Sequence, residues 1–177
     1  MKWLQAAFTV HGYMDNPVAQ RSIAFELALD CAVVNVERLK SLYKDALHIW
    51  SEVLNDLLIL VEQQENVPHN YPFLLEQEQQ WERLLAHCAK NKQQILRFGQ
   101  ALLPFYAQEV EGLHTQLLLE NAEIASNREQ YRSLAVIINR MRDLGFTKRA
   151  DEMKQYLMQK YPRKKAMHEE LHLCLSY

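Results

Sequence analysis

Glycine is scarce in this chain. Gly12, Gly99, Gly112 and Gly145 are the only four in 177 residues. Tight turns between strands need positive φ, which glycine supplies without steric cost, so the shortage argues against a sheet and for helices. Cysteine is also sparse. Cys31, Cys88 and Cys174 are odd in number, lie far apart and form no Cys-x-x-Cys spacing. A zinc ribbon and a thioredoxin-type pair are thereby excluded, and free thiols in a reducing, cytoplasmic compartment are expected. Long apolar runs are missing. Leu57-Leu58-Ile59-Leu60-Val61 is five residues, against the roughly 18 that a membrane span needs. The opening Met1–Phe8 is too short and interrupted for a secretory signal. No Gly-rich phosphate loop, Gly-x-Ser-x-Gly elbow or His-Glu-x-x-His motif occurs. The sequence therefore assigns no catalytic residue, no metal ligand and no cofactor.

Nearly half of the residues, 49%, are apolar, which is ample for a buried core and excludes global disorder. The length suits one domain over residues 1–177. The fold class predicted is all-α, an antiparallel bundle of about six or seven helices. Asn16 and Pro17 form a helix start after the His11–Asn16 turn. Glycine and proline are then absent until Pro68, and one helix over 17–65 would reach ~73 Å. A break is expected near residues 35–38, where Asn35, Glu37 and Arg38 interrupt the apolar stripe. Asn66–Pro72 is a linker and a possible sub-boundary. The next helix is predicted from Pro72 to about Gln100, with Gly99 and Pro104 then interrupting the pattern. Ser126 and Glu129 have capping-box spacing and open a helix to about Leu144. Thr147 is expected to cap a helix ending near Lys160. Pro162 is expected to open the last, with Met167, Leu171, Cys174 and Leu175 facing inward. Trp50, Trp81, Phe98, Phe105 and Tyr106 are expected in the core, with Trp3 docking the N-terminal segment.

Charge is split along the chain. Between Arg128 and Lys165 there are 11 basic side chains against four acidic, a balance of +7. The whole chain is −2, so the remainder carries −9. Asymmetry of this kind suggests an acidic protein partner or nucleic acid at the basic end. The basic hairpin, residues 126–175, supplies the candidate binding residues: Arg140, Arg142, Lys148 and Arg149, with Arg163, Lys164 and Lys165. The last three are the sharpest, since positive charge at a helix start opposes the helix dipole. Residues 45–82 hold eight acidic side chains and no lysine or arginine. Pairing of the acidic 45–82 region with the basic 128–165 region, within the fold or in a homo-oligomer, is the competing expectation.

The segment Leu144-Gly145-Phe146-Thr147-Lys148-Arg149-Ala150, followed by Pro162, resembles the second half of a tetratricopeptide (TPR) repeat. Glycine permits the turn, alanine a close helix approach, and proline the stop. Leu134, Ile137, Ile138 and Met141 depart from the family's first half. The resemblance covers residues 131–162 and implies partner binding. Arg163 and His168 resemble the Arg-x4-6-His motif of HEPN-type ribonucleases, which implies metal-independent RNA cleavage by a dimer. Glu111-x-x-His114 and Glu169-x-x-His172 have the spacing used by di-metal carboxylate bundles. With 16 glutamates and seven histidines, about 0.6 such pairs arise by chance. The leading expectation is a non-enzymatic adaptor or assembly subunit. The ribonuclease and the di-metal protein are the alternatives.

Overall fold

Two asparagines, Asn16 and Asn127, cap helices with their side chains. The computed structural model describes residues 2–14, 16–44 and 46–173. Asp15 and Asp45, assigned above to a turn and to the acidic region, lie outside the described residues, as do Cys174 and Leu175 of the last stripe. The described residues form ten α-helices and one short 3-10 turn, with no strand among them. The count exceeds the six or seven expected. Contacts divide the chain into two compact units, meeting between Gln79 and Gln80, later than the Asn66–Pro72 linker.

The first unit holds α1 (Lys2–Tyr13), α2 (Pro17–Ala28), α3 (Val33–Ser41), α4 (Leu47–Glu62) and α5 (Tyr71–Gln77). Asn16 caps α2 as expected, its Oδ1 accepting from Ala19 N–H at 3.1 Å. The stretch from Pro17 to Glu65 is broken twice, and neither break is at 35–38. At the first, Cys31 sits at φ 55, and Asp30 Oδ1 accepts from Ala32 N–H at 2.8 Å. Asn35 Nδ2 donates to the same carboxylate at 3.2 and 3.0 Å. Asn35 thus locks the preceding turn from a buried position inside α3 rather than ending the helix. At the second, Arg21 Nη2 donates to Leu42 O at 3.2 Å, satisfying a carbonyl at the end of α3. The linker lies where the sequence puts it, between α4 and α5.

Leu27, Leu39, Leu57, Leu58, Leu74 and Leu75 fill the core of this unit. Beside them Glu78 is a buried carboxylate. It accepts from Lys40 Nζ at 2.8 and 3.0 Å and from Trp50 Nε1 at 2.9 Å, joining α3, α4 and the end of α5. Trp50 is buried as expected. Trp3 is not docked: it is 88% exposed. The half-buried stripe of α1 is Leu4, Ala7, Phe8 and His11, and Trp3 falls off that face.

The second unit contains α6 (Trp81–Lys90), the 3-10 turn (Lys92–Gln94), α7 (Ile95–Ile124), α8 (Arg128–Asp143), α9 (Thr147–Lys160) and α10 (Lys165–Leu173). The helix expected from Pro72 to Gln100 is cut at Gln79, which has φ 55, and again at Asn91, whose φ of −125° and ψ of 82° are not helical. Cys31 and Gln79 make left-handed turns without glycine, so these ends carry no glycine signal. Helix α7 is two arms. Pro104 removes one helical N–H, and Tyr106 leaves helical geometry with φ −139° and ψ 46°. The arms fold back on each other. Lys92 Nζ meets Glu120 Oε1 at 2.8 Å, and a Cβ built on Gly99 would lie 2.9 Å from His114 Cε1. On one straight helix residues 99 and 114 would stand about 22 Å apart.

Phe98 is fully buried, but Phe105 is 58% exposed and stacks on Trp81 with centroids 5.2 Å apart. The kink turns Phe105 outward, against the expectation that it joins the core, while Trp81 and Tyr106 are half-buried. The cap of α8 is Asn127, not Ser126. Asn127 Oδ1 accepts from Gln130 N–H at 3.0 Å, and Gln130 Oε1 accepts from Ser126 N–H at 2.7 Å. The box therefore stands one residue later than predicted. Between α8 and α9, Gly145 has φ +91°, Phe146 N–H reaches Met141 O at 2.9 Å and Gly145 N–H reaches Arg142 O at 2.8 Å. This double closure is a Schellman turn, and it puts Phe146 rather than Thr147 at the cap position of α9. Ala150 is fully buried, and α9 ends at Lys160 as expected. Pro162 lies in the turn before α10, which begins at Lys165.

Gly99→Ala tests the fold-back. Alanine normally gains ~1 kcal/mol over glycine inside a helix. Here the methyl would meet a buried imidazole, so urea unfolding should show a net loss of about 1–3 kcal/mol. A gain would mean that the arms do not approach at Gly99.

Candidate functional site

The seven candidate cations fall into two groups. Arg140 and Arg142 end α8, and Lys148 and Arg149 begin α9, so these four surround the Gly145 turn. Arg163, Lys164 and Lys165 stand at the other end of α9, whose 14 residues span about 21 Å. The structure brings each group together but keeps the two apart.

Several basic side chains of this unit already have carboxylates. Arg142 Nη2 meets Asp151 Oδ1 at 2.6 Å. Arg149 Nη1 lies 3.4 Å from Glu152 Oε2, and Arg149 Nε reaches Thr115 Oγ1 at 3.5 Å. Arg128 pairs with Glu169 and, through Nε at 2.9 Å, with Glu170; Arg132 Nε also meets Glu170 at 3.2 Å. Glu170 is buried, so α10 is pinned to α8 by one carboxylate serving two guanidiniums. Lys160 reaches Glu123 at 3.6 Å. Lys164 Nζ donates to Ala125 O at 2.8 Å and lies 4.4 Å from the Tyr161 ring centroid. The side chains of Lys148, Arg163 and Lys165 are exposed and have no hydrogen bond or ion pair among the described residues. Together the C-terminal helices carry a basic surface cluster.

The sequence did not reveal Glu170, Thr115 or the tyrosines under the lysines, and it offered Glu111 only as half of a Glu-x-x-His pair. Lys160 also stands over Tyr156, at 5.6 Å, and Lys164 over Tyr131, at 5.8 Å. One signal was available. Gln108, Glu111, Gly112 and Thr115 follow i, i+3, i+4, i+7 spacing, a polar stripe on the second arm of α7. With Lys148, Arg149 and Glu152 the stripe lines an open cavity of about 370 Å³.

The residues of the enzymatic alternatives are placed differently. His168 is half-buried, its ring Nε2 3.0 Å from Tyr161 O, while Arg163 points into solvent. Glu169 is engaged by Arg128, and His172 is exposed. His114 is fully buried. Among the described residues no three His, Cys, Asp or Glu side chains gather as a metal cluster would, so the two Glu-x-x-His pairs do not form a di-metal site. Nor is any described helix long and apolar enough to cross a membrane. No family, curated protein or solved structure matches this chain.

His114 is the one fully buried histidine among the described residues. Its Nδ1–H donates to Val110 O at 2.8 Å, which leaves Nε2 as an acceptor, buried and without a partner. Arg140 Nε is likewise buried without a partner. Burial first, and the nearby Arg140 charge as well, hold His114 below the usual histidine range, with the Val110 bond opposing them. The unfolded chain takes up a proton near pH ~6.5, whereas the folded chain resists it. Stability from this group is therefore complete above that pH and declines as pH falls towards the folded value. Urea titrations between about pH 7.5 and pH 5.5 should show the decline. His114→Gln should make it shallower, with partly buried His87, also held below the usual range by burial, still contributing, and an unchanged slope would contradict this assignment.

Proposed function

We propose that this protein is a non-enzymatic interaction module, an adaptor or a subunit of a larger assembly, which docks an acidic protein surface on its basic C-terminal hairpin. The observation that carries the reading is the contrast among its cations. Arg128, Arg132, Arg142, Arg149 and Lys160 are neutralised by carboxylates, whereas Lys148, Arg163 and Lys165 stand exposed without one. Arg163 and Lys165 also flank the start of α10, where the helix dipole disfavours them. Charge placed against local stability is explained by an anionic partner.

A protein partner fits better than nucleic acid. Nucleic acid draws affinity from many phosphate contacts, and single strands stack on open aromatic faces. Here the free cations are few, and the faces of Tyr131, Tyr156 and Tyr161 are occupied by Lys160 and Lys164. The likeness of residues 131–162 to a TPR hairpin supports the same conclusion. A second copy could supply the acidic surface, since residues 1–79 carry 11 acidic and five basic side chains. A reducing, cytoplasmic setting suits Cys31 and Cys88, both free and buried, with thiols pushed up to about 12 by desolvation.

Fluorescence anisotropy with labelled poly-L-glutamate and a labelled RNA oligomer tests the reading. Poly-glutamate should bind, and binding should weaken steeply as salt rises from about 50 to about 300 mM. Arg163→Glu with Lys165→Glu should reduce affinity at least about tenfold and shift stability by only about 0.5 kcal/mol. RNA binding that exceeds poly-glutamate binding would replace the acidic-protein reading. Poly-glutamate affinity unchanged in the double variant would remove the hairpin from the account.

A further inference from the structure

Gly112 is a glycine that the fold does not explain. It lies inside the second arm of α7, where glycine costs ~1 kcal/mol against alanine. A Cβ there would meet nothing within 4 Å, in contrast to Gly99, where the arms touch. Gly112 also lines both cavities of this arm. On one flank is the polar cavity with Glu111, Thr115, Lys148 and Arg149. On the other is a mainly apolar cavity of about 280 Å³ with Leu85, Ala89 and Leu113. Glu109, Gly112, Leu113 and Gln116 repeat the i, i+3, i+4, i+7 spacing on that side.

The polar cavity holds four charges, of which Arg149 and Glu152 pair with each other at 3.4 Å while Lys148 and Glu111 stay unpaired. Neither the Lys148 ammonium nor the Glu111 carboxylate has an ion-pair partner among the described residues. Arg149 is steadied by Thr115 as well as by Glu152. Its Nε is held by the hydroxyl of buried Thr115, which itself donates to Glu111 O at 2.9 Å. A purely anionic ligand would gain from Lys148 and Arg149 but be opposed by Glu111 and Glu152. A purely cationic one would meet the reverse. A ligand bearing both charges satisfies both, and an apolar group beside them has the second cavity to enter. Gly112 is the residue that the two linings share.

We propose that the two cavities flanking Gly112 form one site for a free apolar α-amino acid. Its carboxylate lies on Lys148 and Arg149, its ammonium on Glu111, and its side chain passes over Gly112 onto Leu85, Ala89 and Leu113. Each volume is of ligand size or just below, and together they are ample for a leucine, methionine or phenylalanine. The site is open, so affinity in the millimolar range is expected. The proposal shares Lys148 with the acidic-partner reading but is tested apart from it, since that reading's double variant is at Arg163 and Lys165, at the far end of α9.

The test is NMR titration of the full chain with L-leucine, L-methionine and L-phenylalanine to about 10 mM. At least one should bind saturably. 4-Methylpentanoate lacks the ammonium, 3-methylbutylamine lacks the carboxylate and L-alanine lacks the larger side chain. Each should bind more weakly by about fivefold or more. Lys148→Ala and Glu111→Gln should each weaken binding about tenfold. Gly112→Ala should raise the melting temperature, because its methyl has open space, and Gly112→Leu should reduce binding by blocking the crossing. The proposal is overturned if none of the three amino acids saturates, if the truncated analogues bind as well, or if Lys148→Ala and Glu111→Gln leave the affinity unchanged.

Discussion

The second unit depends on one event, the doubling back of α7 at Tyr106. Thirty residues from Ile95 to Ile124 would make a rod of about 45 Å if the helix ran straight. Pro104 takes away one hydrogen bond and Tyr106 leaves helical geometry, so the rod becomes a hairpin. Gly99 is what lets the arms close, because the imidazole of His114 occupies the space a side chain would need. Everything else in this unit is arranged on that hairpin. Helix α6 and helix α8 both pack on α7, and α9 and α10 pack on α8. The outward face of the second arm becomes the wall of the polar cavity, with Thr115 holding Arg149.

Charge follows the same division as the contacts. Residues 1–79 have a formal charge of −6, from five basic and 11 acidic side chains. Residues 80–177 have +4, from 15 basic and 11 acidic. Carboxylates near in the fold answer many of the second unit's cations, as Glu170 does for Arg128 and Arg132. The excess that remains is small, and it is concentrated at exposed positions. A few unpaired cations beside several satisfied ones are what the proposed partner surface rests on, more than total charge.

The helical class was legible from four glycines and from the apolar spacing of residues such as Met167 and Leu171. The turn at Gly145 and the stop at Lys160 were legible because glycine and proline mark them. The breaks at Cys31 and Gln79 were not, because side-chain contacts and not glycine hold those left-handed turns. Asn35 read as an interruption of the stripe, and it was the residue that secures the turn before it. The candidate cations were found by type but not by partner. Nothing local in the sequence tells that Arg142 finds Asp151 while Lys148 finds no carboxylate. Gly112 was visible as a letter, and its meaning required the two cavities on either side of it.

A distance across α7 tests the central claim most directly. Spin labels at Gln93 and Gln116, both exposed, can be introduced in a chain with Cys174 replaced, since Cys31 and Cys88 are buried. Double electron–electron resonance should give a distance below about 20 Å if the arms lie side by side at helix-packing separation. A distance near 35 Å, as on one straight helix, would contradict the fold-back and the site built on it.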